Sequence, residues 1–307
     1  MRLCVLPIVL ASLVGAQPAS RPQILGLAHV SLYTHDLDAS LAFYTQFLGF
    51  EESFSLPAVN GHGGMAFIKI NDRQFIELAP ETAPSTDRLN HIAIETNDAE
   101  AMRRYLASRG VKVPDHTPVG RIGNANFTVR DPDGHLVEIV EYLPDGWSAR
   151  DRGKHLGPHR LSTRMAHAGI LVGSLAPAIG FYSGVLGFVE TWRGSPTPAR
   201  LSWVNLRVPD GTDYVEFMLY GDLPAPDHRG TQHHICLEVP SVPAAVALLN
   251  ASPYRARYSR SIEIKTGINR KRQANLFDPD GTRIELMEPT TVDGKPAPSS
   301  AAPPPHP

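Results

Sequence analysis

Eight residues of this chain have the types and spacing to act together: His29, Glu77, His91 and Glu138, then in the same order His167, Glu216, His234 and Glu285. Imidazole nitrogens and carboxylate oxygens both ligate divalent metals, and both groups are costly to bury without a partner. His29 to Glu77 spans 48 residues and His167 to Glu216 spans 49; His91 to Glu138 spans 47 and His234 to Glu285 spans 51. A duplicated His-Glu-His-Glu order is hard to explain as packing. It points to one or two metal sites, with a carboxylate available for proton transfer.

The elements that must position these groups are themselves repeated. LAHVSLYTHDLDASLAFYTQFLGFEESF (27–54) aligns without gaps to MAHAGILVGSLAPAIGFYSGVLGFVETW (165–192), and DPDGHLVEIVE (131–141) matches DPDGTRIELME (278–288). Each copy divides again into a short strand (LAHVSLY, LNHIAIE, MAHAGIL, HHICLEV), an amphipathic helix closed by glycine, and further strands. The expected order is one strand, one helix and three strands, four times over, an α+β arrangement. Strand alternation selects between His233 and His234. The apolar frame of HICL matches HVSL and HIAI, so His234 is the inward-facing one.

The first residues read as an export signal, 1–16: Arg2, the apolar run LCVLPIVLASLV, then Val14-Gly15-Ala16 before a mature start at Gln17. The run is too short to span a bilayer, Pro7 would interrupt a buried helix, and Cys4 lacks a lipobox. The expected location is therefore secreted or periplasmic, with no membrane association after cleavage. Cys236 is then the one mature cysteine, inside an apolar strand, so no internal disulfide is expected. With 29 Lys and Arg against 31 Asp and Glu, the chain does not resemble a nucleic-acid binder. The expected domains are 17–142 and 164–289, joined by a polar, turn-rich linker at 143–163 and followed by a disordered Pro-, Ala- and Ser-rich tail at 290–307.

A strand-initial His, a helix ending in LGF and a DPDG turn before a Glu-bearing strand resemble the vicinal oxygen chelate superfamily. Glyoxalase I, methylmalonyl-CoA epimerase, fosfomycin-resistance proteins and extradiol dioxygenases belong to it. The resemblance covers about residues 24–142 and 164–289. It implies tandem βαβββ units, four in total, forming two U-shaped mixed-sheet barrels with helices outside. It implies that the eight His and Glu residues are metal ligands for Zn, Ni, Mn, Fe or Co, with a small-molecule substrate. The sequence leaves open whether adjacent units pair or the first joins the fourth; adjacent pairing closes shorter loops. Monomer and homodimer are both compatible with it.

The four-ligand pattern looks more like glyoxalase I or the epimerase than the dioxygenases. Those typically use His, His and Glu, with a further His and a Tyr shortly before the glutamate. Here the Tyr position holds Asn275 in the second copy and Thr128 in the first, and His116 lies too far upstream. The implied chemistry is proton abstraction next to a metal-bound carbonyl, with enediolate stabilisation and Glu138 or Glu285 as base. Two alternatives stand beside it: an extradiol-type ring-cleaving dioxygenase, and a non-catalytic, antibiotic-sequestering binding protein. A basic stretch with Arg255, Arg257, Arg260, Lys265, Arg270, Lys271 and Arg272 would either attract an anionic substrate to the cavity mouth or form a solvated hairpin. His62, among Gly61, Gly63 and Gly64, is a candidate lid residue. His155, His159 and His306 are expected in solvent.

Overall fold

The computed structural model describes residues 20–58, 64–83, 87–230 and 232–305. The signal segment, Cys4, the start at Gln17, His62 and His306 lie outside the described residues. The first half runs β1 (Ile24–Thr34), α1 (Leu37–Ala42), β2 (Glu51–Leu56), β3 (Met65–Lys69), β4 (Phe75–Pro80), β5 (Leu89–Thr96), α2 (Ala99–Ser108), β6 (Ala125–Arg130) and β7 (Leu136–Glu141). A short α3 (Trp147–Arg150) lies in the connection. The second half runs β8 (Met165–Val172), α4 (Leu175–Ile179), β9 (Val189–Gly194), β10 (Trp203–Arg207), β11 (Tyr214–Leu219), β12 (His234–Glu238), α5 (Val242–Ala251), β13 (Ile264–Thr266), β14 (Lys271–Phe277) and β15 (Arg283–Thr291). No helix among the described residues is long and apolar enough to cross a membrane.

Local chemistry explains the matched helices. Asp36 caps α1 by accepting from the Ala39 N–H, and Asp98 caps α2 by accepting from Ala101. α1 and α4 each continue as a π-helical turn, Phe43–Phe47 and Gly180–Val185. The LGF string ends those turns: Gly49 and Gly187 have φ of 74° and 80°, the left-handed region that glycine enters without penalty.

The strands form a seven-stranded sheet, β2-β3-β4-β1-β5-β7-β6, and an eight-stranded sheet, β13-β14-β15-β12-β8-β11-β10-β9. Each mixed sheet curls into a half-barrel built from two repeated units. β1 pairs antiparallel with β5, and β8 with β12, so adjacent units close on each other. On β4, Ile76 and Leu78 face the helices in the core while Glu77 points to the concave side; β11 repeats this with Val215, Phe217 and Glu216. The second unit departs from the expected order. Its helix is followed by two strands and an isolated bridge between Val119 and Ala125, because Pro114 and Pro118 remove ladder donors.

DPDG makes more than a turn. Tyr44 in the first half donates to Asp278 Oδ2 at 3.1 Å, and Tyr182 in the second donates to Asp131 Oδ2 at 3.1 Å. Thr34 Oγ1 also donates to Asp280 at 2.7 Å, and the Gly173 N–H to Asp133 at 3.1 Å. The two halves thus clasp each other reciprocally around one continuous apolar core. Burial pushes the Asp278 carboxyl up to about 7 against its hydrogen bonds.

The connection at 143–163 is pinned to the first half, where fully buried Lys69 donates to Asp151 Oδ2 at 2.8 Å. His155 and His159 are exposed, although His155 Nδ1 lies 2.6 Å from Asp151. The expectation of a disordered tail is corrected for residues 290–305. Thr290 and Thr291 complete β15, Trp192 Nε1 donates to the Pro298 carbonyl, and the Pro303 carbonyl accepts from Leu201 N–H. Proline lacks a donor but keeps its carbonyl, and these carbonyls dock the tail. Cys236 is a buried free thiol packed with Ala166 and Met287, and burial pushes its pKa well up.

Candidate metal centres

Backbone register brings the eight residues into two groups of four. In the first half, Ser31 of β1 lies opposite both Glu77 on β4 and His91 on β5, and Glu138 of β7 sits beside Ala93 of β5. His29 Nε2 is 2.9 Å from His91 Nε2, 3.4 Å from Glu77 Oε2 and 3.7 Å from Glu138 Oε2; His91 Nε2 is 3.1 Å from Glu138 Oε2. In the second half, His167 Nε2 is 3.0 Å from His234 Nε2, 3.9 Å from Glu216 and 3.3 Å from Glu285. His234 Nε2 is 3.4 Å from each glutamate. All eight are buried. His233 turns elsewhere, with Nε2 3.4 Å from Asp87.

These separations fit a shared divalent ion. Donors held about 2.0–2.2 Å from one ion lie about 3.0 Å apart at right angles and about 3.4 Å apart at the tetrahedral angle. Three donors of each group, His29, Glu77, His91 and His167, His234, Glu285, all approach within 4.8 Å of one another. Two buried carboxylates facing two imidazole edges also leave a demand for positive charge. Burial raises the Glu138 and Glu285 carboxyls, but the neighbouring histidines outweigh it and hold both well below the usual carboxylate range. Burial lowers His29, yet Glu138 and Glu77 bring it above its ordinary value; at His167 burial prevails and the pKa falls.

The surroundings of the two groups differ. In the first half, Ser31 Oγ donates to Glu77 Oε1 at 3.2 Å and Asn126 Nδ2 to Glu138 Oε1 at 2.8 Å. The wall carries Phe54, Phe67 and Phe75, with Trp147 edge-on to Phe54 at 5.6 Å. In the second half, Gly169 stands where Ser31 does. A Cβ there would fall 1.9 Å from His234 Cε1, so the ring occupies the space a side chain would need. Asn205 replaces Phe67 opposite the glutamate, Asn275 replaces Thr128, and Arg283 replaces Leu136. A cavity of about 240 Å³ opens onto Glu216 and Glu285, walled by Trp192, Trp203 and Arg283 among others.

Sequence reasoning missed Ser31, Asn126, Gly169 and Arg283 as neighbours of the metal groups. The gapless alignment of 27–54 with 165–192 did carry one signal, since it sets Gly169 against Ser31. The other relations depend on strand register.

The Glyoxalase/Bleomycin resistance protein/Dioxygenase superfamily model matches residues 26–139 and 164–286. Over 140 residues the chain is 31% identical to 3-methylcatechol 2,3-dioxygenase of Pseudomonas putida, covering 42% of this chain and 44% of that protein. Over 139 residues it is 30% identical to lactoylglutathione lyase of Salmonella typhimurium, covering 43% of this chain and 98% of the lyase. Among solved structures, the Mn(II)-bound glyoxalase of Novosphingobium aromaticivorans superposes with a TM-score of 0.63 at 17% identity, over 87% of this chain and 83% of that one. The 2,3-dioxygenase LapB of Pseudomonas sp. KL28 gives 0.64 at 16% identity, over 90% and 97%. At these identities the structural likeness concerns the fold.

Proposed function

The chain belongs to the glyoxalase/bleomycin resistance protein/dioxygenase superfamily, and from that premise we propose that it is a divalent-metal-dependent enzyme of glyoxalase or epimerase type. It would remove a proton next to a carbonyl of a small oxygenated substrate. One observation carries the reading: both halves assemble a complete set of four donors, with Glu77 and Glu216 included. His29, Glu77, His91 and Glu138 would hold one ion, and His167, Glu216, His234 and Glu285 the other. When bound, the ion supplies Lewis-acid polarisation of a substrate oxygen.

The protein's own part is to place a base and exclude water. Glu138 Oε1 is tied by Asn126, whereas Glu285 has histidine partners alone among the described side chains. Glu285 is therefore the freer carboxylate, able to turn toward a carbon-bound proton and hold it on Oε2. Glu138 is the corresponding group in the first half. The aromatic and indole walls shield the proton from bulk water, and placement near the reacting carbon matters as much as basicity.

Elemental analysis of protein purified without added metal tests the reading. One or two ions per chain, with activity lost on chelation and restored by metal, is the expected result. A chain that neither retains nor takes up Zn, Ni, Mn, Fe or Co would overturn it. A second reading, ring-cleaving dioxygenation, draws on the 31% identity to 3-methylcatechol 2,3-dioxygenase. Consumption of oxygen by the iron-loaded protein with a catechol would favour it over proton abstraction. Thr128 and Asn275 at the expected Tyr positions speak for the first reading. We also propose export, supported by the apolar run before Val14-Gly15-Ala16. Native protein outside the cytoplasm should begin at Gln17; a cytoplasmic chain retaining Met1 would contradict this.

A further inference from the structure

The second cavity carries more positive charge than its metal group requires. Two carboxylates, Glu216 and Glu285, would balance one divalent ion, with His167 and His234 neutral as ligands. Lys265 and Arg283 remain on the same wall, and among the described residues neither has a carboxylate within ion-pair distance. Lys265 is exposed at the mouth. Arg283 reaches inward: its Nη2 lies 2.5 Å from His234 Nδ1 and 3.3 Å from Met218 Sδ, while Nε is buried with no hydrogen-bond partner. A guanidinium offers five N–H donors in a fixed fork, and an unmet buried donor is costly. Asn275 adds a buried side-chain oxygen that likewise has no partner, on the strand beside Glu285.

Both the rest of the basic stretch and the first half argue that this charge is local. Arg270 pairs with Asp293, Arg272 pairs with Glu288, and Arg255 bonds Asn250 at the end of α5, so these residues are engaged away from the cavity. Arg260 lies over the Phe277 ring at 4.4 Å. At the position of Arg283 the first half has Leu136, and at that of Asn275 it has Thr128. The duplicated frame thus holds ligands constant while one wall is made cationic and polar. The indoles of Trp192 and Trp203 supply flat apolar surface, and Trp192 is fixed by its bond to the Pro298 carbonyl.

We propose that the second cavity selects a small planar substrate bearing an anionic group, and that Arg283 is the specificity-determining residue that reads that group. The proposal rests on the metal-dependent reading above. The carboxylate would occupy the fork of Arg283, with Lys265 closing the mouth, the flat part of the substrate against the indoles and its carbonyl toward the metal group. A bidentate arginine–carboxylate pair in a partly buried site adds affinity and orientation together.

The test uses the whole chain loaded with redox-inert zinc, titrated calorimetrically with benzohydroxamate and with 4-carboxybenzohydroxamate, whose adjacent oxygens copy an enediolate and which carry no carbon-bound proton to lose at that centre. The two share a ring and adjacent oxygens and differ in one carboxylate. Wild type should bind the carboxylate at least about tenfold more tightly. Arg283→Leu, the first-half residue, and Arg283→Gln should each reduce that preference below about twofold with zinc content unchanged, and Arg283→Lys should restore part of it. Equal binding of the two probes by wild type, or a preference that persists in both neutral variants, would overturn the assignment. A wild-type chain that takes up no zinc would instead overturn the metal-dependent reading.

Discussion

The two halves carry the same four candidate ligands and hold them differently. In the first, Ser31 and Asn126 fix one oxygen of each glutamate, and phenyl rings line the wall. In the second, the serine is Gly169, the glutamates lack those donors among the described residues, and the wall is polar and cationic. We propose that duplication kept the donor frame and divided the labour. A pinned carboxylate favours a persistent metal site, whereas a free one beside an open cavity can move a proton. The second half is accordingly the reactive one in our account, and the first is its stable counterpart.

The largest break in that comparison should come from a single methyl group. Gly169→Ala puts a Cβ where the His234 ring lies, so the second site should lose metal affinity by about a hundredfold. Ser31→Ala should leave the first site occupied. Metal titration with site-resolved spectroscopy of the cobalt form reads both, and equal effects in the two halves would contradict the comparison. Glu285→Gln should next reduce turnover about 10²–10⁴-fold, while Glu138→Gln leaves most of it. Steady-state rates of metal-loaded variants would expose the reverse assignment. A milder effect is expected from Asn126→Ala, which frees Glu138. Metal affinity in the first site should fall about 10–100-fold with the second unchanged.

The smallest effect concerns the clasp between the halves. Asp278 is held up at about 7, above its ordinary value of 3.8. A carboxyl raised on folding contributes stability that is fully present below the unfolded value and is lost as pH rises through the folded one. Denaturant midpoints should therefore decline between about pH 4 and 7, and Asp278→Asn should flatten that decline. An unchanged slope in the variant would remove Asp278 as its source.

Much of this was legible in the sequence because duplication wrote it twice. LGF, DPDG and the His and Glu spacings marked the units and picked out the eight residues that the strands bring together before any register was known. Strand alternation was enough to choose His234 over His233. The unread features are those that depend on distant juxtaposition. Tyr44 and Asp278 meet across 234 residues, so DPDG looked like a turn and nothing more. Arg283 faces His234 through the parallel register of β12 and β15, which no local pattern announces. The Pro-rich tail read as disordered from composition, yet its carbonyls find donors on Trp192 and Leu201.

The most direct test of the central claim, that each half assembles its own metal site, is the stoichiometry of ion binding. Equilibrium titration of His29→Ala/His91→Ala and of His167→Ala/His234→Ala should each give one ion per chain, against two for wild type and none for the fourfold variant. Two ions retained by either double variant, or fewer than two bound by wild type at saturating metal, would contradict the account.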